Sequence, residues 1–173
     1  MTSMFPRVFA AVFATFVVAC GGMVPDTNSP GGAIAPDFTL NSLDGQQARL
    51  SDYKGSVVLI DFWSTTCDPC MIEMPHLVEL YKKNKERGFV VLAVSADGPE
   101  SRAQVSSVAR SKEMIFPVLL DEETVVTARY NPKRELPFTV LVSKDGTILH
   151  KRNGYTAGDE KTLASEVEKA LAD

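Results

Sequence analysis

Seven consecutive residues, Val57-Val58-Leu59-Ile60-Asp61-Phe62-Trp63, carry a single charged side chain among them. A half-buried strand alternates apolar and polar residues, and an amphipathic helix repeats its apolar positions every three or four. This run does neither. Its β-branched start reads as a central strand buried on both faces, which requires a sheet covered on both sides. A second such run, Phe89-Val90-Val91-Leu92-Ala93-Val94, follows a stretch that reads as helix from about Cys67 to Arg87. There Leu77, Leu80 and Tyr81 recur at helical spacing. Lys82, Lys83, Lys85 and Arg87 complement the C-terminal dipole, and Gly88 ends the helix. Strand, helix, strand predicts an α/β core.

The remaining patterns fill in around these two strands. Phe38–Leu40 and Ala48–Leu50 flank Asp44-Gly45 as an N-terminal β-hairpin. Residues 100–112 read as a polar helix with Val105 and Val108 inward. Phe116–Leu120 reads as a short strand and Thr124–Tyr130 as a short helix. Pro137–Val142 and Thr147–His150 form a hairpin through Lys144-Asp145-Gly146, which makes the sheet mixed. Asp159–Ala172 reads as a final helix with Leu163, Val167 and Leu171 on one stripe and a capping box from Thr156 and Asp159.

The N-terminus has a different character. Val8–Ala19 is apolar except for Thr15 and follows a single charge, Arg7. A membrane span needs about 20 apolar residues, so residues 1–19 read as a secretory signal peptide. Its end, Val17-Val18-Ala19-Cys20-Gly21, resembles the lipobox of bacterial lipoproteins. That resemblance implies cleavage before Cys20 and lipidation of Cys20. Residues 20–33 are rich in Gly, Pro, Asn and Ser and read as a lipid-anchored flexible linker. Residues 34–173 read as one folded domain. The expected location is extracytoplasmic, on a bacterial cell-envelope membrane. An apolar content of 45% excludes global disorder, and a net charge of −4 argues against a nucleic-acid binder.

The chemistry is at Cys67-Asp68-Pro69-Cys70, two of only three cysteines. At a strand-to-helix transition the unpaired N–H groups of the helix lower the first thiol's pKa and make Cys67 the nucleophile. Cys70 lies a turn further in and is shielded. Zinc needs two more ligands, and the only histidines are His76 and His150. Haem attachment needs a histidine where Met71 stands. A purely structural bridge this narrow constrains little chain. No metal site is expected, and no cofactor beyond the redox-active Cys67–Cys70 pair.

The segment from Asp61 to Cys70 resembles the active site of thioredoxin-fold proteins, and Glu135–Val142 with Lys144-Asp145-Gly146 resembles their cis-proline strand and hairpin. The long segment before Pro137, the N-terminal hairpin and Glu73-Met74-Pro75 make the chain most similar to the TlpA/ResA-like family of membrane-tethered thiol-disulfide oxidoreductases, within the AhpC/TSA-redoxin superfamily. The likeness covers roughly residues 33–173. It implies a thioredoxin fold, a central mixed sheet flanked by helices, with an inserted helix and strand before the cis-proline strand.

Residue roles follow from the resemblance. Asp61 is implied as a buried proton acceptor for Cys70 and Glu73 as an active-site acid that tunes the thiols. A cis Leu136–Pro137 bond is implied to expose backbone to a substrate strand. Trp63, Asp68, Pro69 and Leu136 are implied to face substrate, with Trp63 as the floor of the site. Thr66 departs from the second tryptophan usual in thioredoxins. Pro75 is expected to kink the helix, and Met71 and Met74 to pack.

The expected reaction is dithiol–disulfide exchange with protein disulfides, in cytochrome c maturation or envelope thiol homeostasis. Asp68 between the sulfurs disfavours the thiolate, so the couple should be reducing. A reductase in an oxidising compartment must be recharged by a membrane thiol donor of the DsbD/CcdA-like kind. The protein is expected as a monomer. Two rivals are a thiol peroxidase, whose Pro and Thr before the reactive cysteine are here Ile60 and Ser64, and a copper(I) carrier for respiratory-complex assembly using Met71 or Met74.

Overall fold

The computed structural model describes Met1 and residues 32–173. Apart from Met1, the expected signal peptide lies outside the described residues, as do Cys20 and all of the expected linker except Gly32 and Ala33. The elements run β1 (Thr39–Ser42), β2 (Gln47–Arg49), β3 (Val57–Trp63), α1 (Asp68–Asn84), β4 (Phe89–Ser95), α2 (Arg102–Ser111), β5 (Val118–Leu120), α3 (Val125–Tyr130), β6 (Phe138–Val142), β7 (Ile148–Asn153) and α4 (Asp159–Ala172).

Seven strands form one mixed sheet in the order β2-β1-β5-β4-β3-β6-β7. The seven-residue run is β3, and every residue of it is buried. It pairs in parallel with β4 and antiparallel with β6, so Asp61 stands opposite Ala93 on one side and Thr139 on the other. Alternation along the pleat sends Val57, Leu59, Asp61 and Trp63 to one face and Val58, Ile60 and Phe62 to the other. The first face packs on Met74, Leu77 and Val78 of α1, Val105 of α2, and Leu163 and Val167 of α4. The second packs on Phe38, Val126 and Tyr130. Asp61 is thereby committed to the layer that also holds α1.

Helix ends follow their chemistry. After a 3-10 turn at Lys85–Arg87, Gly88 takes φ 85°, the left-handed conformation that a side chain would strain. The inward stripe of α4 is Leu163, Val167 and Ala170, with Leu171 only half-buried. In α2 it is Val105 and Ala109, with Val108 half-buried. The expected capping box forms by half: Thr156 N donates to Asp159 Oδ2 at 2.8 Å, while Gly158 at φ 108° precedes the helix. The expected first strand begins one residue late. Phe38 N is taken by its neighbour's carboxylate, Asp37 Oδ1, at 3.1 Å.

Candidate active site

β3 ends at Trp63, and after three intervening residues Cys67 caps α1. Cys67 N donates to Ser64 O at 3.2 Å, closing a turn. Pro69 sits in the first helical turn, where its missing N–H removes nothing. Cys70 N donates to Cys67 Sγ at 3.3 Å. Cys67 and Cys70 are joined as a disulfide with their Cα atoms 5.3 Å apart. The two sulfurs differ in depth: Cys67 is half-buried, whereas Cys70 is 1% exposed.

Two carboxyls are buried on the elements that carry the pair, Asp61 on β3 and Glu73 three residues beyond Cys70 on α1. Asp61 is 1% exposed and Glu73 is 4% exposed. Among the described residues, neither oxygen of Asp61 has a hydrogen-bond partner, nor has Oε2 of Glu73. Burial pushes Asp61 well above the usual carboxylate range, and the nearby Glu73 pushes it further. Burial also raises Glu73 to about 7; Arg152 opposes that rise and Asp159 adds to it. Two adjacent buried carboxyls cannot both ionise without mutual repulsion. Arg152 is itself held by Glu166, Nη2 to Oε2 at 3.1 Å.

The Leu136–Pro137 bond is cis, with Pro137 buried and Leu136 half-buried. Buried Asn131 shapes the approach to it: Nδ2 donates to Glu135 O at 2.7 Å, and its own carbonyl accepts Arg134 N at 2.9 Å. Of the residues expected to face substrate, Asp68 and Pro69 are exposed. Trp63 is not among them. It is 0% exposed, with its indole inside the core shared with α1. Pleat alternation in a doubly covered strand turns it inward, so it packs beneath the site and offers no surface to a partner. Met74 is buried in the same core, with Met71 half-buried against it. His76 and His150 are exposed.

α1 continues through Pro75 rather than ending there. Proline has no N–H to give to Met71 O, four residues back. Lys112 Nζ from the end of α2 supplies the missing donor at 2.9 Å. Lys112, Asn131, Arg152 and Asp97 were not singled out from the sequence. Asp97 alone carried a usable signal, since it follows the carboxyl end of a buried parallel strand, where α/β sites gather.

A half-buried Cys67 at a helix N-terminus, bonded to a buried Cys70, is a dithiol–disulfide couple with one sulfur within a partner's reach. On this sheet that defines a thioredoxin-fold dithiol oxidoreductase. Residues 32–151 match the model of the AhpC/TSA family. The thiol-disulfide oxidoreductase ResA of Bacillus cereus is 38% identical over 120 residues, 69% of this chain and 68% of that one. The thioredoxin domain of a thiol-disulfide oxidoreductase from Bacteroides vulgatus superposes with a TM-score of 0.68 at 29% identity, over 82% of this chain and 97% of that one. A secreted Mycobacterium tuberculosis disulfide oxidoreductase, homologous to E. coli DsbE, gives 0.66 at 25% identity over 76% and 95%. The chain belongs to the AhpC/TSA family and, within it, to the TlpA/ResA-like thiol-disulfide oxidoreductases.

Proposed function

We propose that this oxidoreductase works as an extracytoplasmic protein-disulfide reductase, tethered through lipid on Cys20 and recharged by a membrane thiol donor. The observation that carries the reading is the depth difference between the sulfurs, with the carboxyls of Asp61 and Glu73 buried in the layer that holds Cys70. Cys67, as thiolate, attacks one sulfur of a substrate disulfide, and the other sulfur leaves as thiolate. Cys70 then gives its proton to the Asp61/Glu73 pair and attacks Cys67 Sγ. The second substrate sulfur leaves, so the substrate gains two electrons and the Cys67–Cys70 disulfide forms. Asp68 beside the nucleophile disfavours its thiolate, which favours a reducing couple. Export is supported by the signal-like residues 1–19 and by the secreted relative. Among the described residues no helix is long and apolar enough to cross a membrane.

Cys67→Ser is expected to abolish reduction of insulin disulfides, and Cys70→Ala to accumulate mixed disulfides through Cys67. Mass spectrometry of those adducts separates apocytochrome c from general envelope substrates. A reduction potential at around −120 mV, that of a strong oxidant, overturns the direction. Faster turnover with hydrogen peroxide than with disulfides overturns the substrate class. Palmitate labelling that survives Cys20→Ala overturns the anchor.

A further inference from the structure

Cys67 is held on its C-terminal side by α1. On its N-terminal side the three residues Ser64–Thr66 join it to the sheet, and these lie at the surface. Thr66 is exposed, and Ser64 and Thr65 are half-buried. Between their own side chains there is one long contact, Ser64 Oγ to Thr66 Oγ1 at 3.4 Å. A turn so lightly tied does not by itself hold a nucleophile in register with its resolving partner.

Asp97 supplies the tie. It lies two residues beyond the end of β4, half-buried. Its carboxylate accepts Thr65 N on both oxygens, at 3.1 and 2.9 Å. It also accepts Thr65 Oγ1 at 2.6 Å and Ser95 Oγ at 2.7 Å. A carboxylate offers about four acceptor positions and no donor, so these contacts use its capacity, and the negative charge strengthens each of them. The other end of the tie is rigid. Ser95 is buried in β4 opposite Trp63, its carbonyl accepts Asp121 N at 2.9 Å, and Ala96 N donates to Trp63 O at 2.9 Å. Thr65 is inside the turn closed by Cys67 N and Ser64 O, so fixing its backbone and hydroxyl together fixes where Cys67 enters the helix.

We propose that Asp97 is a positioning residue for Cys67, holding the nucleophile's turn to the centre of the sheet through Thr65 and Ser95. The role rests on Cys67 being the exchanging sulfur. The tie matters most in the reduced state, because the Cys67–Cys70 bond then no longer holds the nucleophile against the helix. Loss of the tie weakens the Cys70 N–H contact that stabilises the thiolate. That destabilises the reduced form more than the oxidised one.

The test uses Asp97→Ala, Asp97→Asn and Thr65→Val in the full folded chain, against Thr65→Ser, which keeps the hydroxyl. The readouts are the Cys67 pKa from alkylation rates across pH, the equilibrium with glutathione, insulin reduction and thermal unfolding. Asp97→Ala is expected to raise the Cys67 pKa and to make the couple more reducing by about threefold or more in the glutathione equilibrium. It should lower kcat/KM by about 10- to 100-fold, the range for a misplaced reacting group. Asp97→Asn and Thr65→Val keep part of the contact and should fall between, and Thr65→Ser should match the parent. The opposite sign is decisive. If the charge merely sat near the sulfur, removing it would lower the Cys67 pKa equally in Asp97→Ala and Asp97→Asn, and the proposal fails. It also fails if thermal stability drops while pKa, equilibrium and kcat/KM stay within about twofold. Should Asp97→Ala not fold, Asp97→Asn and Thr65→Val carry the same signs. The alkylation readout is independent of the direction in which the protein works.

Discussion

At the scale of single residues the site is a contrast between one half-open sulfur and groups buried in the core. Glu73 and Asp61 both hold protons more tightly than exposed carboxyls do, because burial penalises their charge. A base that has to take a proton from Cys70 must first be ionised. The resolution step is therefore expected to speed up as pH rises through about 7, where Glu73 loses its proton. Stopped-flow decay of a Cys67 mixed disulfide reads that step directly. Asp61→Asn and Glu73→Gln should each slow it by roughly 10-fold, and the double variant by about 100-fold or more, the range of general base catalysis. Glu73→Gln should also remove the inflection near 7; an inflection that survives assigns it to another group. Asp61 was legible because one acid in an apolar strand announces itself. The depth of Trp63 is equally legible in that doubly buried run, and only its place among substrate-facing residues came from the resemblance.

At the scale of elements, α1 is one helix only because a neighbour repairs it. Pro75 leaves Met71 O without its helical donor, and Lys112 reaches over from α2 to fill the gap. Lys112→Met keeps the stem and removes the charge, and is expected to lower stability by about 1 kcal/mol in denaturant unfolding. Pro75→Ala restores an N–H to Met71 O, so Lys112→Met should then have a smaller effect. Additive losses in that double-mutant cycle would separate the two residues. Such a contact was illegible beforehand, since it joins residues 41 apart in sequence. The strands that carry the site were legible to the residue or nearly so. Val57–Trp63 is legible at its observed bounds, because a run buried on both faces has sharp polar ends. β7 extends to Asn153, three residues past its expected end, because its His150, Lys151 and Asn153 side chains lie exposed at the sheet edge and, of its polar residues, only Arg152 is half-buried. Charges there deter edge-to-edge pairing and hide the strand from an apolar pattern.

At the scale of the whole molecule, the buried acids set fold stability against catalysis. The layer that commits Asp61 and Glu73 to the core is the one that builds the fold, with β3 above and α1 and α4 below. A carboxyl whose folded pKa lies above its unfolded value adds stability in full below the unfolded value. It loses that stability as pH climbs through the folded value. For Glu73 the window runs from 4.5 to about 7. The oxidised protein is therefore expected to lose stability from pH 4.5 to pH 7.5 in denaturant titrations, with Asp61 contributing in the same direction. Glu73→Gln carries no charge to bury, so its profile should be flatter across that window. Above pH 7 it should exceed the parent by about 3 kcal/mol, the order that a shift of this size implies. The same variant resolves mixed disulfides slowly. More stable and less active in one substitution is the signature of a group kept for chemistry at the expense of the fold. A Glu73→Gln protein that is both less stable and less active at pH 7.5 would instead make Glu73 a packing residue, and would leave Asp61 as the base for Cys70.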